Sequence, residues 1–142
     1  MIDSTDQGFH RVIRVKAETA QLSEIRRFVE EVALEAALDV ERVFDLKVAV
    51  SEACANAVQH SGCSAAPLEV SAQLYAQRLT FIVTDTGFFR PPPPPRESFH
   101  NRGLGLPLMV ALMDEVSFSR APGGGTTVSL SVLLDRGAAI PA

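Results

Sequence analysis

Five consecutive prolines, Pro91 to Pro95, stand inside the segment FFRPPPPPRESFHNRG at positions 88–103. Proline has no amide hydrogen and its ring locks φ, so this run excludes both regular helix and a central strand. It predicts an irregular loop of polyproline type. As an interdomain linker it would leave a C-terminal piece of about 40 residues, usually too few to fold alone. As a long loop within one domain it is of the kind that carries function. The second reading is preferred: one domain over residues 1–142, with a mobile lid at about 88–102 and a flexible tail at about 135–142.

The patterns on either side of the loop are regular. Residues 9–16, FHRVIRVK, place Phe9, Val12 or Ile13, and Val15 on one side, which predicts a half-buried strand with room for a bulge. From Leu22 the apolar positions Leu22, Ile25, Phe28, Val29, Val32, Ala33 and Ala36 recur at helical spacing, with Thr19 or Ser23 available as N-cap. A second helix begins after Asp39, with Glu41 in its first turn and Ser61-Gly62 at its end. Its core stripe is Val43, Leu46, Val50, Ala53, Cys54 and Ala57, while Asp45, Glu52, Asn56, Gln59 and His60 fall in a separate arc.

Two strand-like runs follow, 67–76 and 78–87, joined at Ala76-Gln77 as a hairpin. Ile82 beside Val83 suggests a strand covered on both faces. After the proline loop, GLGLPLMVALMDEV predicts a helix with Pro107 in its first turn, and two further strands flank Pro122 to Gly125. Strands and helices are segregated rather than strictly alternating. The fold class is therefore α+β: a two-layer α/β sandwich, its mixed and mostly antiparallel sheet carrying helices on one face.

A net charge of −4 argues against a broad nucleic-acid interface, which favours a basic stripe. The start MIDSTDQGFHRVIRV lacks the basic and apolar runs of a signal peptide, and no segment is long enough to cross a bilayer. Cys54 and Cys63 form no CxxC and have no His cluster, so they read as thiols of a reducing, cytoplasmic protein.

Three features could carry chemistry, and each is weak alone. Glu52 and Asn56 lie one helical turn apart: a carboxylate that can take a proton beside an amide oxygen that can hold Mg²⁺. Asp85-Thr86-Gly87 leaves an apolar strand through a glycine turn, where loops at strand ends often line clefts. RGLGLP at 102–107 opens a helix, where glycines admit a ligand close to the backbone and free N–H groups attract phosphate.

Their order is more specific than any one of them. Glu52 and Asn56, Asp85-x-Gly87, Gly103-x-Gly105 and Gly125-Thr126, in that sequence, resemble the GHKL superfamily of Bergerat-fold ATPases. ExxxNAxxHS at 52–61 with GLGLPLMVALMDEV looks more specifically like the anti-sigma-factor serine/threonine kinases. The resemblance covers residues 9 to 134 and implies a Bergerat-type sandwich using ATP and Mg²⁺. It implies Asn56 as the Mg²⁺ ligand and Glu52 as the base that activates a serine hydroxyl. Asp85 would accept the adenine amino group, Gly87 would permit the turn beneath the base, and Thr126 would sit beside it. Gly103 and Gly105 would turn backbone N–H groups to the phosphates, with Arg102 and Leu104 in the same nucleotide-binding turn.

The implied partners are a sigma factor, held by direct binding, and a STAS-type anti-anti-sigma protein phosphorylated on serine. A homodimer is implied too, through exposed parts of the first strand and helix, with no direct contact to nucleic acid or membrane. Phe88-Phe89 replaces the second glycine of the family's D-x-G-x-G, and Asn101 stands where some relatives carry a basic residue. His60 is read as bracing the helix end or a nearby loop rather than as catalytic. The competing reading is a catalytically weak or inactive, nucleotide-gated anti-sigma binding module.

Overall fold

The computed structural model describes residues 8–61, 67–85, 105–120 and 125–134, with backbone alone at 59–61 and 105–106. The proposed lid, the tail, Cys63, the Gly62 cap and the side chain of His60 therefore lie outside the described residues. Five strands form one sheet: β1 (Phe9–Lys16), β2 (Pro67–Tyr75), β3 (Arg78–Asp85), β4 (Glu115–Arg120) and β5 (Thr126–Leu133). Among the described residues three helices accompany them, α1 (Leu22–Glu35), α2 (Val40–Ser61) and α3 (Gly105–Leu112), with a short 3₁₀ turn at Thr19–Gln21. The α+β sandwich holds. The strand order is β1-β2-β3-β5-β4, and every pairing is antiparallel, so the sheet is not mixed.

Period-two alternation decides what each strand buries. Leu68, Val70 and Ala72 of β2, Leu79, Phe81 and Val83 of β3, and Val128, Leu130 and Val132 of β5 are all buried on one face. The helices supply the opposite wall through Ile25, Val29, Val32 and Ala33 of α1 and Leu46, Ala49, Val50, Ala53 and Cys54 of α2. Met109 of α3 and Met113 just beyond it complete that wall. Phe28 meets Phe81 edge to face, with ring centres 6.3 Å apart, a geometry that adds to simple burial.

The second face of the sheet has no helix on it among the described residues. Ile82 is half-buried there, in a row of hydroxyls that includes Thr80, Thr84, Thr127 and Ser129. Among the described residues Ser71 and Ser129 flank it in the ladder. Thr80 and Ser131 hydrogen-bond at 2.8 Å across that row.

β1 pairs with β2 in unbroken register from Phe9↔Leu74 to Lys16↔Pro67 and carries no bulge. Phe9, Ile13 and Val15 face the helices, while Val12, 40% exposed, faces out. The remaining inward position is Arg11, whose guanidinium lies 4.6 Å above the Phe9 ring and bonds the Glu35 carboxylate.

Helix α1 starts after Gln21 without a side-chain cap, so neither Thr19 nor Ser23 serves as one. It ends in a Schellman arrangement: the Leu38 amide donates to the Ala33 carbonyl at 3.1 Å and that of Ala37 to Leu34 at 2.9 Å. Ala37 takes the left-handed conformation, φ 64°. Asp39 then caps α2, its Oδ1 accepting from the Arg42 amide at 2.9 Å. The expected start of α2 is thus explained by a carboxylate on an orphan N–H.

The β2–β3 turn is strained. Ala76 and Gln77 both have positive φ, 54° and 65°, the signature of a type I′ turn that favours Asn-Gly. Left-handed backbone costs an L-residue roughly 1–2 kcal/mol. Replacing Ala76 with Asn and Gln77 with Gly is expected to stabilise the fold by about 1–2 kcal/mol, read as a higher Tm in thermal unfolding.

Burial pushes the Cys54 thiol up to about 12 from its ordinary 9.0. The unfolded chain therefore loses this proton first as pH rises, and folding stability must fall above about pH 9. The expected slope from this group reaches about 1.4 kcal/mol per pH unit, and denaturant titrations should show it absent in Cys54→Ala.

A polar row where the core stops

The core ends one step before the sheet does. On β3 the inward positions Leu79, Phe81 and Val83 are buried, and the next inward residue is the half-buried Asp85. On β5 the inward Val128, Leu130 and Val132 are buried, and the position before them is the exposed Thr126. Asp85 pairs directly with Thr126, which puts their Cβ atoms about 5 Å apart on the helix-covered face. Leu68 lies opposite Asp85 on the other side, and Arg120 of β4 lies opposite Thr126. The row Leu68–Asp85–Thr126–Arg120 thus crosses four strands at one level.

Gly125, which leads into Thr126, has φ 85° and is buried. A side chain there would be held in the left-handed region, so glycine is what lets β5 begin at this level.

Three hydrogen bonds set how far along the sheet the helices reach. Arg42 Nη1 donates to the Leu133 carbonyl at 3.2 Å, tying the first turn of α2 to the far end of β5. The same guanidinium meets Asp114 at 3.4 Å, and Asp114 accepts from the Leu133 amide at 2.7 Å. From that anchor Asn56 is about 21 Å along α2, and Thr126 is about 24 Å back along β5. The two arrive at the same end of the sheet, with Glu52 one turn short of it.

The rotation of α2 selects the flank. Lys47 bonds Glu30 of α1 at 2.9 Å, so its side of α2 faces α1. Asn56 lies about 180° round the helix from Lys47, and Glu52 about 140°. Both side chains are half-buried on the flank away from α1, and α2 packs on α3 there. The Asp114 amide donates to the Ser131 carbonyl at 2.9 Å, closing the turn from α3 into β4. Since Met109 and Met113 are buried, α3 lies over the sheet and its first residue, Gly105, starts toward the Thr126 end.

Among the residues expected at the site, the register pairs Asp85 with Thr126, Glu52 and Asn56 lie one turn apart on α2, and Gly105 opens α3. Gly87, Arg102, Gly103 and Leu104 lie outside the described residues. Arg120 joins the group without having been anticipated. The signal for it was period-two counting back from Thr126 across the β4–β5 pairing, which needs a register that the sequence does not display.

The donor set fits a nucleotide with its metal. Beyond the last buried core pair the sheet offers a carboxylate and a hydroxyl side by side on the helix-covered face. Two oxygen-bearing side chains one turn apart approach from α2. Among the described residues no cluster of three His, Cys, Asp or Glu side chains could hold a metal. Mg²⁺ is commonly held through substrate phosphates with only one or two protein oxygens, and Asn56 can offer one.

This architecture, an antiparallel sheet covered on one face by helices that bring a Glu/Asn pair to an Asp/Thr row, is that of the histidine kinase-like ATPase domain. That family matches residues 15–132. Within it, the chain belongs to the RsbW serine-protein kinase family. It is 35% identical over 140 residues to the serine-protein kinase RsbW of Bacillus pumilus, spanning 87% of this chain and 85% of the relative. It is 31% identical over 132 residues to the anti-sigma F factor of Pasteuria penetrans, spanning 82% and 88%.

Two solved structures share the fold. The crystal structure of the RsbU and RsbW domains of Rv1364c from Mycobacterium tuberculosis superposes with a TM-score of 0.66 at 24% identity, over 87% of this chain and 32% of that longer one. The SiaB-SiaC complex from Pseudomonas aeruginosa gives 0.67 at 8% identity, over 91% and 92%.

Proposed function

We propose that this protein is an ATP- and Mg²⁺-dependent serine/threonine protein kinase that holds a sigma factor and phosphorylates a serine of a STAS-type anti-anti-sigma protein. Phosphorylation would release that antagonist and return the kinase to the sigma factor. The protein would work as a homodimer in the cytoplasm. The kinase and anti-sigma names of its relatives support this reading. The observation that carries it is the convergence of the Glu52/Asn56 flank of α2 with the Asp85–Thr126 row at one end of the sheet.

Phosphoryl transfer asks a protein for positioning and charge stabilisation more than for covalent chemistry. Asp85 accepts a hydrogen bond from the adenine amino group, which selects adenine over guanine, and Thr126 lies beside the base. Gly87 allows the turn beneath it. Arg102, Gly103, Leu104 and Gly105 form the turn that directs backbone N–H groups to the phosphates, at the start of α3. Arg120 adds a cation at the outer end of the Asp85 row. Asn56 would hold Mg²⁺ through its amide oxygen, and the ion would supply charge neutralisation at the phosphates.

Glu52 accepts the proton of the acceptor serine. The serine oxygen bonds to the γ-phosphorus as the bond to the β,γ-bridging oxygen breaks, and ADP departs with that electron pair. The γ-phosphoryl group ends on the serine, and the proton on Glu52.

Calorimetry separates the two binding roles. Asn56→Ala is expected to weaken Mg·ATP binding about tenfold or more while leaving metal-free nucleotide affinity little changed; equal Mg·ATP affinity in mutant and wild type would refute the metal role. Asp85→Asn should weaken both and lose preference for adenine over guanine nucleotides.

The catalytic step is tested by transfer of labelled phosphate from ATP to purified STAS-domain proteins encoded in the same genome. Wild type should label a serine. Glu52→Gln should bind Mg·ATP normally and transfer roughly 10²–10⁴-fold more slowly, the usual worth of a general base. Tight Mg·ATP binding by wild type without any labelled acceptor would make the protein a nucleotide-gated binding module instead.

A further inference from the structure

The outer surface of the α1–α2 pair carries apolar side chains that the core does not use. Leu34 is 57% exposed, Val40 81% and Phe44 63%, and Val48 is half-buried. The Lys47–Glu30 ion pair sets the level of the two helices. Leu34 lies one turn beyond Glu30 and Phe44 one turn before Lys47, so the two face each other across the groove between the helices. On α2 the residues Val40, Phe44 and Val48 continue in steps of four to Glu52 and Asn56. Each step rises about 6 Å and turns about 40° round the helix. The stripe thus starts beside α1, crosses the outward crest of α2, and ends on the flank that carries the proposed base, with Phe44 about 12 Å from Glu52.

The rim of this stripe is acidic. Among the described residues Glu31, Glu41, Asp45 and Glu52 take part in no ion pair. The nearby cations Lys47 and Arg42 are engaged, by Glu30 and Asp114. Arg27, two turns back from Leu34 on α1, is the other cation on this surface.

We infer that Leu34, Val40, Phe44 and Val48 form the docking track for the acceptor protein, which presents apolar side chains flanked by Lys or Arg and is delivered along α2 to Glu52. The inference rests on the proposed role of Glu52 as base for a serine. A protein acceptor needs contacts remote from the reacting hydroxyl, because those contacts hold the nucleophile in line. Charge complementarity chooses the partner's rim, and the continuity of the stripe with Glu52 chooses its direction. The acceptor serine then sits about 12 Å from its apolar anchor.

The test uses the full chain, labelled ATP and each purified STAS-domain protein from the same genome as acceptor. Phe44→Ala and Phe44→Glu replace an exposed side chain, so the thermal melt and Mg·ATP affinity should stay at wild-type values. The acceptor KM should rise roughly ten- to hundredfold, the worth of one buried aromatic anchor, with kcat at saturating acceptor retained. Glu41→Lys should raise KM as well, and added salt should erase that effect.

An unchanged acceptor KM in Phe44→Glu, with transfer intact, overturns the docking track and spares the kinase reading. Conversion of a dimer to a monomer by Phe44→Glu in sedimentation assigns the stripe to a second copy and also overturns it. Mg·ATP binding by wild type with no labelled acceptor overturns the kinase reading, and the track falls with it.

Discussion

The burial of one stripe of α2 against the middle of the sheet is the contact on which the other features depend. Leu46, Ala49, Val50 and Cys54 are wholly covered, and Ala53 is nearly so. Opposite them stand Phe81, Leu130 and their neighbours on β3 and β5. The alanines bring the helix close, and interior packing at this density allows no intermediate settings. Once this stripe is seated, the rotation of α2 is determined, and with it the direction in which Glu52 and Asn56 project. A slip of one helical turn would carry Asn56 about 5.4 Å along the sheet and out of level with Thr126.

The strands answer with a register that tolerates even less. Because side chains alternate, moving β3 by one residue would turn Asp85 to the hydroxyl face and bring Thr84 inward. The apolar rows of β2, β3 and β5 prevent this, since the same slip would turn Leu79, Phe81 and Val83 out of the core. Core packing is therefore what positions the polar row at the point where the core stops. The Arg42–Asp114–Leu133 junction at the opposite end ties α2, the turn after α3 and β5 together. It keeps the helix layer from sliding relative to the sheet.

One helix serves three purposes through three arcs of its surface. The inner arc packs, the flank toward α3 carries the proposed metal ligand and base, and the outer crest carries the apolar track. The helical period separates these arcs by roughly a third of a turn each. A reaction dominated by positioning gains from placing its groups on such a rigid element.

Much of this was legible before any coordinates. The apolar spacing of Leu22 to Ala36 and Val43 to Ala57 delimits α1 and α2, Asp39 marks the start of α2, and the alternation in 67–85 gives the hairpin. The ordered motifs around Glu52, Asn56, Asp85 and Gly125-Thr126 name the family. Less legible were the features that depend on neighbours distant in sequence. Arg11 faces the helices, where Phe9 and Glu35 supply a ring and a carboxylate for it. Local periodicity and capping chemistry are properties of the chain itself, so the sequence alone determined the elements and their order. Which side chains meet is decided by strand register and helix rotation, which only long-range packing can select. Tertiary structure alone therefore placed Asp85 beside Thr126, brought Arg120 into their row, and left the apolar stripe that leads to Glu52 outside the core.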